Sequence, residues 1–155
     1  MADLIEIRGD GANIALEIAE FERPNSANVD DANWLVGQLT ITLKYFSCQM
    51  PISLGVLDLA QLQSELQSCL KILGGTARLR PLEPVLQLDL AFDRRGHVTV
   101  SGFAQTLGPR KTTLSFSFDS DQSYLTEADR QLRRVLLNFP IQNRPRRAVT
   151  EDMEH

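Results

Sequence analysis

The sequence predicts an α+β domain: a mostly antiparallel sheet of about seven strands with two helices packed on one face, in the order ββββαβββα. Three observations support this prediction. Segments in which apolar and polar residues alternate recur along the chain, as is typical of half-buried strands. Apolar residues at helical spacing occur in two longer segments. Each run of strands ends in one of these segments, which favours α+β over an alternating α/β arrangement.

The first four strands should pair through antiparallel turns. The alternating runs at residues 4–7 and 14–18 flank an Asp10-Gly11 step, a strong hairpin signal because glycine accepts the positive φ of a tight turn. A polar loop should follow over residues 22–31. The alternation from Trp34 to Tyr45 predicts a long third strand. A fourth strand near residues 50–54 contains Pro51, which should lie at a sheet edge because proline cannot donate to a strand ladder.

The first helix is predicted to begin at Asp58 as N-cap and to end at Gly74-Gly75 as a left-handed C-cap. A helix of about 16 residues is ~24 Å long, so it could cross three or four strands. Its apolar positions form one stripe: Leu59, Leu62, Leu66, Cys69, Leu70 and Leu73.

The second half of the chain predicts a three-stranded meander followed by a helix. The strands cover about residues 86–92, 97–101 and 112–118, and the spacing changes from strand to helix near Asp119. The final helix should run from Gln122 to Phe139. We therefore expect a single α+β domain over residues 1–139. Residues 140–155 have almost nothing to bury and are predicted to form a largely disordered tail.

Composition narrows the class of protein. The 155 residues, 43% of them hydrophobic, are enough for one core without a disulfide or metal staple. The net charge of −4 argues against direct nucleic-acid binding and suits either a basic partner or simple solubility. There is no signal peptide and no apolar stretch of ~18 residues, so we expect no membrane association and a cytoplasmic location. Cys48 and Cys69 are expected to be reduced thiols.

The sequence does not assemble a recognisable catalytic or metal site. Its two histidines are His97, directly after a predicted turn, and the terminal His155. Asp89 and Asp93 would lie ~13 Å apart along one strand, too far for the paired carboxylates of a glycosidase. The usual nucleophile, zinc and phosphate-binding motifs are missing. We therefore predict no catalytic residue, no metal, no cofactor and no enzymatic activity.

The candidate partner-binding residues are four acids and the only tryptophan. Asp30 and Asp31 precede Trp34, and Asp119 and Asp121 lie where the last strand becomes a helix. The two later acids could instead satisfy free N–H groups at the helix start. Trp34 could be a core anchor or an interface hot spot. Both alternatives remain open from the sequence.

Several segments, taken in order, are similar to a known family. They are residues 30–35, the helical leucines after Asp58, Ala77 and Glu83, and residues 86–90, 96–102 and 116–125. These segments resemble the WapI-type immunity proteins of bacterial polymorphic toxin systems, over about residues 1–139. Asn33-Trp34-Leu35 early and Asp121-Gln122-x-x-Leu125 late contribute most to the resemblance.

The resemblance implies a cytoplasmic, non-enzymatic immunity protein, or antitoxin, that binds and occludes a cognate toxin domain, often a nuclease. We further expect no direct contact with nucleic acid or membrane, and a monomer or weak homodimer. The residues themselves leave a second possibility, a small-molecule or peptide-binding module that uses an exposed sheet face. The polar side chains expected on that face are Gln38, Thr40, Thr42, Thr113, Ser115 and Ser117.

Overall fold

The computed structural model describes residues 3–22 and 32–142. Strands and helices follow one another as β1 (Asp3–Gly9), β2 (Ala12–Phe21), β3 (Trp34–Thr42), β4 (Ser47–Gly55), α1 (Val56–Ile72), β5 (Thr76–Leu79), β6 (Leu86–Phe92), β7 (His97–Gln105), β8 (Thr113–Asp121) and α2 (Gln122–Asn138). The predicted α+β class and the order of strand runs and helices are confirmed. The strands of the described chain form two antiparallel sheets of four, ordered β1-β2-β3-β4 and β5-β6-β7-β8.

The division into two sheets has a local cause that alternation alone does not reveal. Strand β5 has only four residues, too few for a clear period-two pattern, and it forms by pairing with β6 from Thr76↔Ala91 to Leu79↔Leu88. Helix α1 separates β4 from β5, and its 17 residues make it ~26 Å long. The chain therefore begins a second sheet after the helix instead of extending the first.

The first sheet contains an irregularity in β2. Ile18 lies opposite Gly37 and Glu20 lies opposite Val36, so Ala19 is an extra residue that forms a β-bulge. Strand β4 is the edge of this sheet, and its Pro51 lies opposite Gln38. The prediction that Pro51 occupies an edge strand is confirmed.

The N-cap of α1 lies three residues before the predicted one. Gly55 is the N-cap, and Asp58 occupies the third helical position, where its Oδ2 accepts a hydrogen bond from the Gly55 N–H at 3.1 Å. The prediction of Asp58 as N-cap was therefore wrong, because buried Val56 continues directly from β4 into the helix. The left-handed residue at the other end is Leu73, with φ of 51°, so the predicted glycine C-cap was also misplaced.

One hydrophobic core joins both sheets and both helices. Helix α1 packs beside β5, α2 packs beside β1, and the helices contact each other. Gln63 Nε2 of α1 donates to Asp129 Oδ1 of α2 at 3.0 Å, and Arg133 lies 2.9 Å from the second oxygen of this buried carboxylate. The two halves of the chain therefore share one interior.

The described chain continues past the second helix to Gln142. The buried side chain of Asn33 holds the Gln142 backbone through two hydrogen bonds: Asn33 Nδ2 donates to the carbonyl at 2.8 Å, and Gln142 N donates to Asn33 Oδ1 at 2.7 Å. Residues 143–155, most of the predicted tail, lie outside the described residues. Within the described chain, neither helix has the length and apolar character needed to cross a bilayer.

Candidate functional site

The structure assigns the predicted partner-binding residues to different parts of the molecule. Trp34 is the first residue of β3 in the first sheet, whereas Asp119 and Asp121 lie on β8 in the second sheet. Asp30 and Asp31 lie outside the described residues. The fold therefore does not place Trp34 on the same sheet as Asp119 and Asp121.

The two acids of β8 have different surroundings. Asp121 is the N-cap of α2, and its Oδ1 accepts hydrogen bonds from Ser123 N at 2.8 Å and Tyr124 N at 3.1 Å. Asp119 remains on the strand, with its Oδ1 3.3 Å from His97 Nε2. The helix-capping alternative therefore fits Asp121, while Asp119 forms an exposed cross-strand pair of the kind that contributes little to stability.

Trp34 is half-buried and packs against the core. Its carbonyl accepts a hydrogen bond from Glu22 N at 2.8 Å, and it lies opposite Gly55 on β4. The next residue, Leu35, is fully buried, so alternation directs Trp34 to the outer face of the first sheet. The indole thus packs against the core and is also partly exposed at the surface. It therefore combines features of a core anchor and of an interface residue.

A row of glutamates follows β2 beside Trp34. Glu17 lies opposite Gln38, Glu20 lies opposite Val36, and Glu22 hydrogen-bonds to Trp34. In a regular strand, residues three apart face opposite sides of the sheet. The bulge at Ala19 places Glu17 and Glu20 on the same face. We call the resulting surface the acidic face: Glu17, Glu20, Glu22, Trp34, Val36 and Gln38.

Two glutamates of the acidic face, Glu17 and Glu20, have no basic partner in the described part of the chain. Glu17 and Glu20 are exposed, and neither forms an ion pair within residues 3–22 and 32–142. Residues 1–55 contain eight acidic and three basic residues, whereas residues 76–121 contain five acidic and six basic ones. The negative charge of the protein is therefore concentrated in the part of the chain that builds the first sheet.

An open apolar groove of about 440 Å³ adjoins the acidic face at the edge of β4. Met50 and Ile52 of β4 lie on one side, and Val85 and Leu107 lie on the other. Val36 belongs both to the groove and to the acidic face, and Glu83 adds a carboxylate to the groove lining. An acidic surface thus leads directly into an apolar one.

A second cleft, of about 350 Å³, lies where the β1–β2 and β3–β4 turns approach β8. Its lining includes Tyr45 and Phe46, which are 79% and 67% exposed, and Lys44 Nζ lies 5.2 Å from the centroid of the Tyr45 ring. The prediction that Tyr45 continues the third strand was wrong, because β3 ends at Thr42 and the chain turns there. The two adjacent aromatic residues, Tyr45 and Phe46, were the sequence signal for this turn, and the alternation of apolar and polar residues did not show it.

Ionisable side chains converge in a third cleft, of about 250 Å³, between α1 and β5: Asp58, Glu65, Arg78 and Arg80, together with Gln61. These groups bond to the protein itself. Glu65 Oε1 accepts the Arg78 N–H at 2.8 Å, and Arg80 donates to two carbonyls and to Asp89. Burial raises the pKa of Asp58, an effect opposed by its hydrogen bond from Gly55. The convergence of charged side chains in this cleft is thus explained by the hydrogen bonds with which they stabilise the helix and the strand.

Metal-binding geometry does not occur in the described part of the chain, where no three His, Cys, Asp or Glu side chains form a group that could hold an ion. Cys48 and Cys69 are free thiols, and burial, with a smaller contribution from the charge of Glu65, raises the pKa of Cys69. A raised thiol pKa lowers the thiolate fraction at neutral pH, and with it the reactivity of the group.

The predicted polar sheet face is divided between the two sheets. Gln38, Thr40 and Thr42 lie on β3, whereas Thr113, Ser115 and Ser117 lie on β8. The expectation of one continuous Thr, Ser and Gln surface on a single sheet was therefore wrong, because the strands that carry these residues belong to different meanders.

The fold and these surfaces define an α+β protein with an acidic sheet face next to an apolar groove. A protein-family model for the immunity protein WapI-like family matches residues 4–140, and the chain belongs to this family. The resemblance found in the sequence is thereby confirmed. Membership supports an immunity role, in a family that is generally non-enzymatic. A comparison with curated proteins gives no match.

Proposed function

We propose that this protein binds a cognate toxin domain and occludes the toxin's active site, and that its acidic face is the principal contact surface. The observation that carries the proposal is the row Glu17, Glu20 and Glu22 beside half-buried Trp34 on one sheet face. Acidic groups suit a toxin with a basic active-site groove, as a nuclease has for phosphates. A nuclease is therefore the toxin class that fits this surface best.

The charge distribution supports rapid and selective association. Complementary potentials accelerate diffusional encounter and fix the orientation of the partners more than they raise affinity. The affinity itself would come from buried anchors near the centre of the interface, and tryptophan is among the residues most enriched there. Trp34 is held by its core contacts, so it could bind without a large loss of side-chain entropy.

Tight inhibition sets a requirement on the area of the contact surface. Nanomolar binding corresponds to about −12 kcal/mol, and interfaces of that strength commonly bury ~1,600 Å² in total. The acidic face supplies part of that area and the adjoining groove supplies more. Asp30 and Asp31, which precede Trp34 in the sequence, remain candidate contact residues in this proposal. In this proposal the protein acts in the cytoplasm as a monomer or weak homodimer.

Charge reversal on each sheet tests the proposal. The toxin domain encoded beside the immunity gene would be purified in a catalytically inactive form and titrated by calorimetry and stopped-flow fluorescence. Glu17→Lys together with Glu20→Lys should slow association by about tenfold or more at low ionic strength, with a smaller effect at high salt. Asp119→Lys on the second sheet is the control for a local charge reversal and should leave binding near the wild-type value.

The outcomes separate the two candidate surfaces. Loss of binding in Asp119→Lys, with the Glu17/Glu20 variant unchanged, would move the contact surface to β8 and restore Asp119 and Asp121 as its leading residues. If the wild-type protein binds no toxin encoded next to it in any genome that carries the gene, the immunity proposal fails.

A second candidate function rests on the groove itself. Its volume of about 440 Å³ falls within the range of ~300–1,000 Å³ seen for small-ligand pockets. A small-molecule or peptide-binding role would show as a ligand-dependent rise in Tm without toxin. Leu107→Lys would remove that rise if the ligand occupies this groove.

A further inference from the structure

We propose that the free edge of β4 receives an extended segment of the toxin as an added strand, whose side chains alternate between apolar and basic. This inference rests on the proposed toxin-binding function and specifies the structural element that the toxin contributes. Addition of a strand to a sheet edge is a common mode of recognition, in which backbone hydrogen bonds supply affinity and alternate side chains supply specificity.

The hydrogen-bond pattern of the β3–β4 ladder identifies the free groups. Val56 N donates to Asn33 O at one end and Leu43 N donates to Phe46 O at the other, both at 2.8 Å. Hydrogen-bonded and non-bonded pairs alternate along an antiparallel ladder, so these two bonds determine the phase between them. Gln49, Pro51 and Ser53 are then among the β4 residues whose backbone groups point away from β3.

These outward groups have no partners in the described chain. Neither Gln49 N nor Ser53 N has a hydrogen bond within residues 3–22 and 32–142, whereas the next outward N–H, that of Gly55, is bonded to Asp58. At two other sheet edges, a backbone N–H is hydrogen-bonded to a helix side chain. Gln131 accepts the Glu6 N–H of β1 at 2.6 Å, and Glu65 accepts the Arg78 N–H of β5 at 2.8 Å.

Pro51 limits what can pair with this edge. It lies between the free N–H groups of Gln49 and Ser53 and has no N–H of its own, so an added strand would receive no hydrogen bond at this position. Such a blunted edge discourages the long pairing that leads to aggregation. It still accommodates a segment of about five residues, since the donors are four residues apart and strands rise ~3.3 Å per residue.

The surroundings of the edge indicate which side chains the segment would carry. An added strand would direct one set of side chains toward the groove, where Met50, Ile52 and Leu107 offer apolar contacts. The alternate set would point to the acidic face. There Ser53 Oγ donates to Glu22 Oε1 at 2.9 Å, which places that carboxylate beside β4. Apolar residues would fill the groove while Lys or Arg residues face the glutamate.

A backbone-specific substitution tests the inference. Gln49→Pro removes the outward N–H without touching the β3–β4 ladder, and Gln49→Ala removes the side chain but keeps the N–H. With the inactive toxin domain as titrant, Gln49→Pro should weaken binding about tenfold or more, whereas Gln49→Ala should stay within about threefold of wild type. Amide exchange should slow at Gln49 and Ser53 in the wild-type complex.

The groove has its own matched pair of variants. Leu107, 52% exposed, lines the groove, and Leu82, 88% exposed, is not part of its lining. Leu107→Lys should weaken binding by placing a charged group against the apolar side chains of the segment, and Leu82→Lys should not. If the Tm of Gln49→Pro shows that this variant does not fold, the two leucine variants and the amide-exchange measurement still test strand addition at β4.

The possible results distinguish this inference from the function on which it rests. If wild-type protein does not bind the toxin, the proposed function fails. If it binds, but Gln49→Pro and Leu107→Lys bind as tightly as their controls and the two amides exchange at their free rates, toxin binding stands and strand addition is wrong.

Discussion

The two halves of this protein have the same topology and different surfaces. Strands β1–β4 with α1, and β5–β8 with α2, are each a four-stranded antiparallel meander followed by a 17-residue helix. The first half presents the acidic face and an open edge at β4. The edge of β5 in the second half is bonded to a helix, and its outer face pairs Asp89 with Arg78 and Arg80. One chain topology therefore supports two outer faces with different chemistry.

The equivalence of the halves extends to a glycine at the centre of the third strand. Gly37 of β3 and Gly102 of β7 occupy inward positions, opposite Ile18 and Leu88. A Cβ added at Gly37 would lie 2.1 Å from the Glu17 carbonyl oxygen, and one at Gly102 would lie 1.9 Å from that of Gln87. Both halves thus need a residue without a side chain where the second and third strands approach most closely.

The largest expected effect tests whether the halves share one core. Leu66 of α1 and Leu132 of α2 are fully buried, and replacing either with alanine should reduce the free energy of unfolding by about 2–5 kcal/mol. Because the core is continuous, each variant should unfold in one transition when followed by urea denaturation. Leu57→Ala and Leu137→Ala, at exposed positions on the same helices, are the controls. Two separate transitions would mean that the halves are independent.

A somewhat smaller effect is expected at the paired glycines. Gly37→Ala and Gly102→Ala should each cost about 1–3 kcal/mol, because the obstructing atoms are backbone and cannot rotate away. Gly11→Ala is a useful contrast: no atom obstructs a Cβ there, so its penalty would come only from the positive φ of 65°. Thermal unfolding of the three variants would measure these losses of stability. Equal, small losses at Gly37 and Gly102 would contradict the close approach of the strands.

The two helix starts differ and predict a third effect. Asp121 caps α2 with its side chain, whereas the N-cap of α1 is Gly55. Asp121→Ala should cost about 0.5–2 kcal/mol in chemical denaturation because two helix N–H groups lose their acceptor. Asp119→Ala, which removes the same charge two residues earlier, should change stability by less than about 0.5 kcal/mol. Similar losses for both would indicate a general charge effect.

The smallest expected effect concerns the pH dependence of α1. Burial raises the pKa of Asp58 above its ordinary value of 3.8, so the folded state holds this proton more tightly than the unfolded chain. The contribution to stability is therefore complete below that value and is lost as the pH rises through the folded pKa. Relative to Asp58→Asn, the wild type should become less stable from pH 3 to neutrality. A difference that is constant with pH would contradict the shift.

Several features followed from local sequence patterns. Alternation located seven of the eight described strands, and leucine spacing located both helices, because these periods reflect which face of an element is buried. The pattern did not identify β5, which is too short to show a period, nor the end of β3 before Tyr45. The helix starting at Val56 was assigned a late N-cap because a carboxylate at the third position resembles one at the cap.

The candidate surface depended on information that no single segment contains. Trp34 and the loop acids could be selected from the sequence, but Glu17 and Glu20 could not be placed together, since three-residue spacing predicts opposite faces and the bulge reverses this. Likewise, the sequence leaves both a helix cap and a partner contact open for Asp121, and the fold assigns its side chain to the cap.

Local periodicity was enough to predict the class of fold and the succession of strands and helices, since each depends on residues close together in the chain, whereas the family followed from a resemblance of several segments taken in order. The division into two sheets, the shared interior, the joining of three glutamates with Trp34 and the free N–H groups along the edge of β4 are known only from the tertiary structure. Each depends on which distant strands pair and in what register, and pairing is determined by packing of the whole core rather than by any one segment.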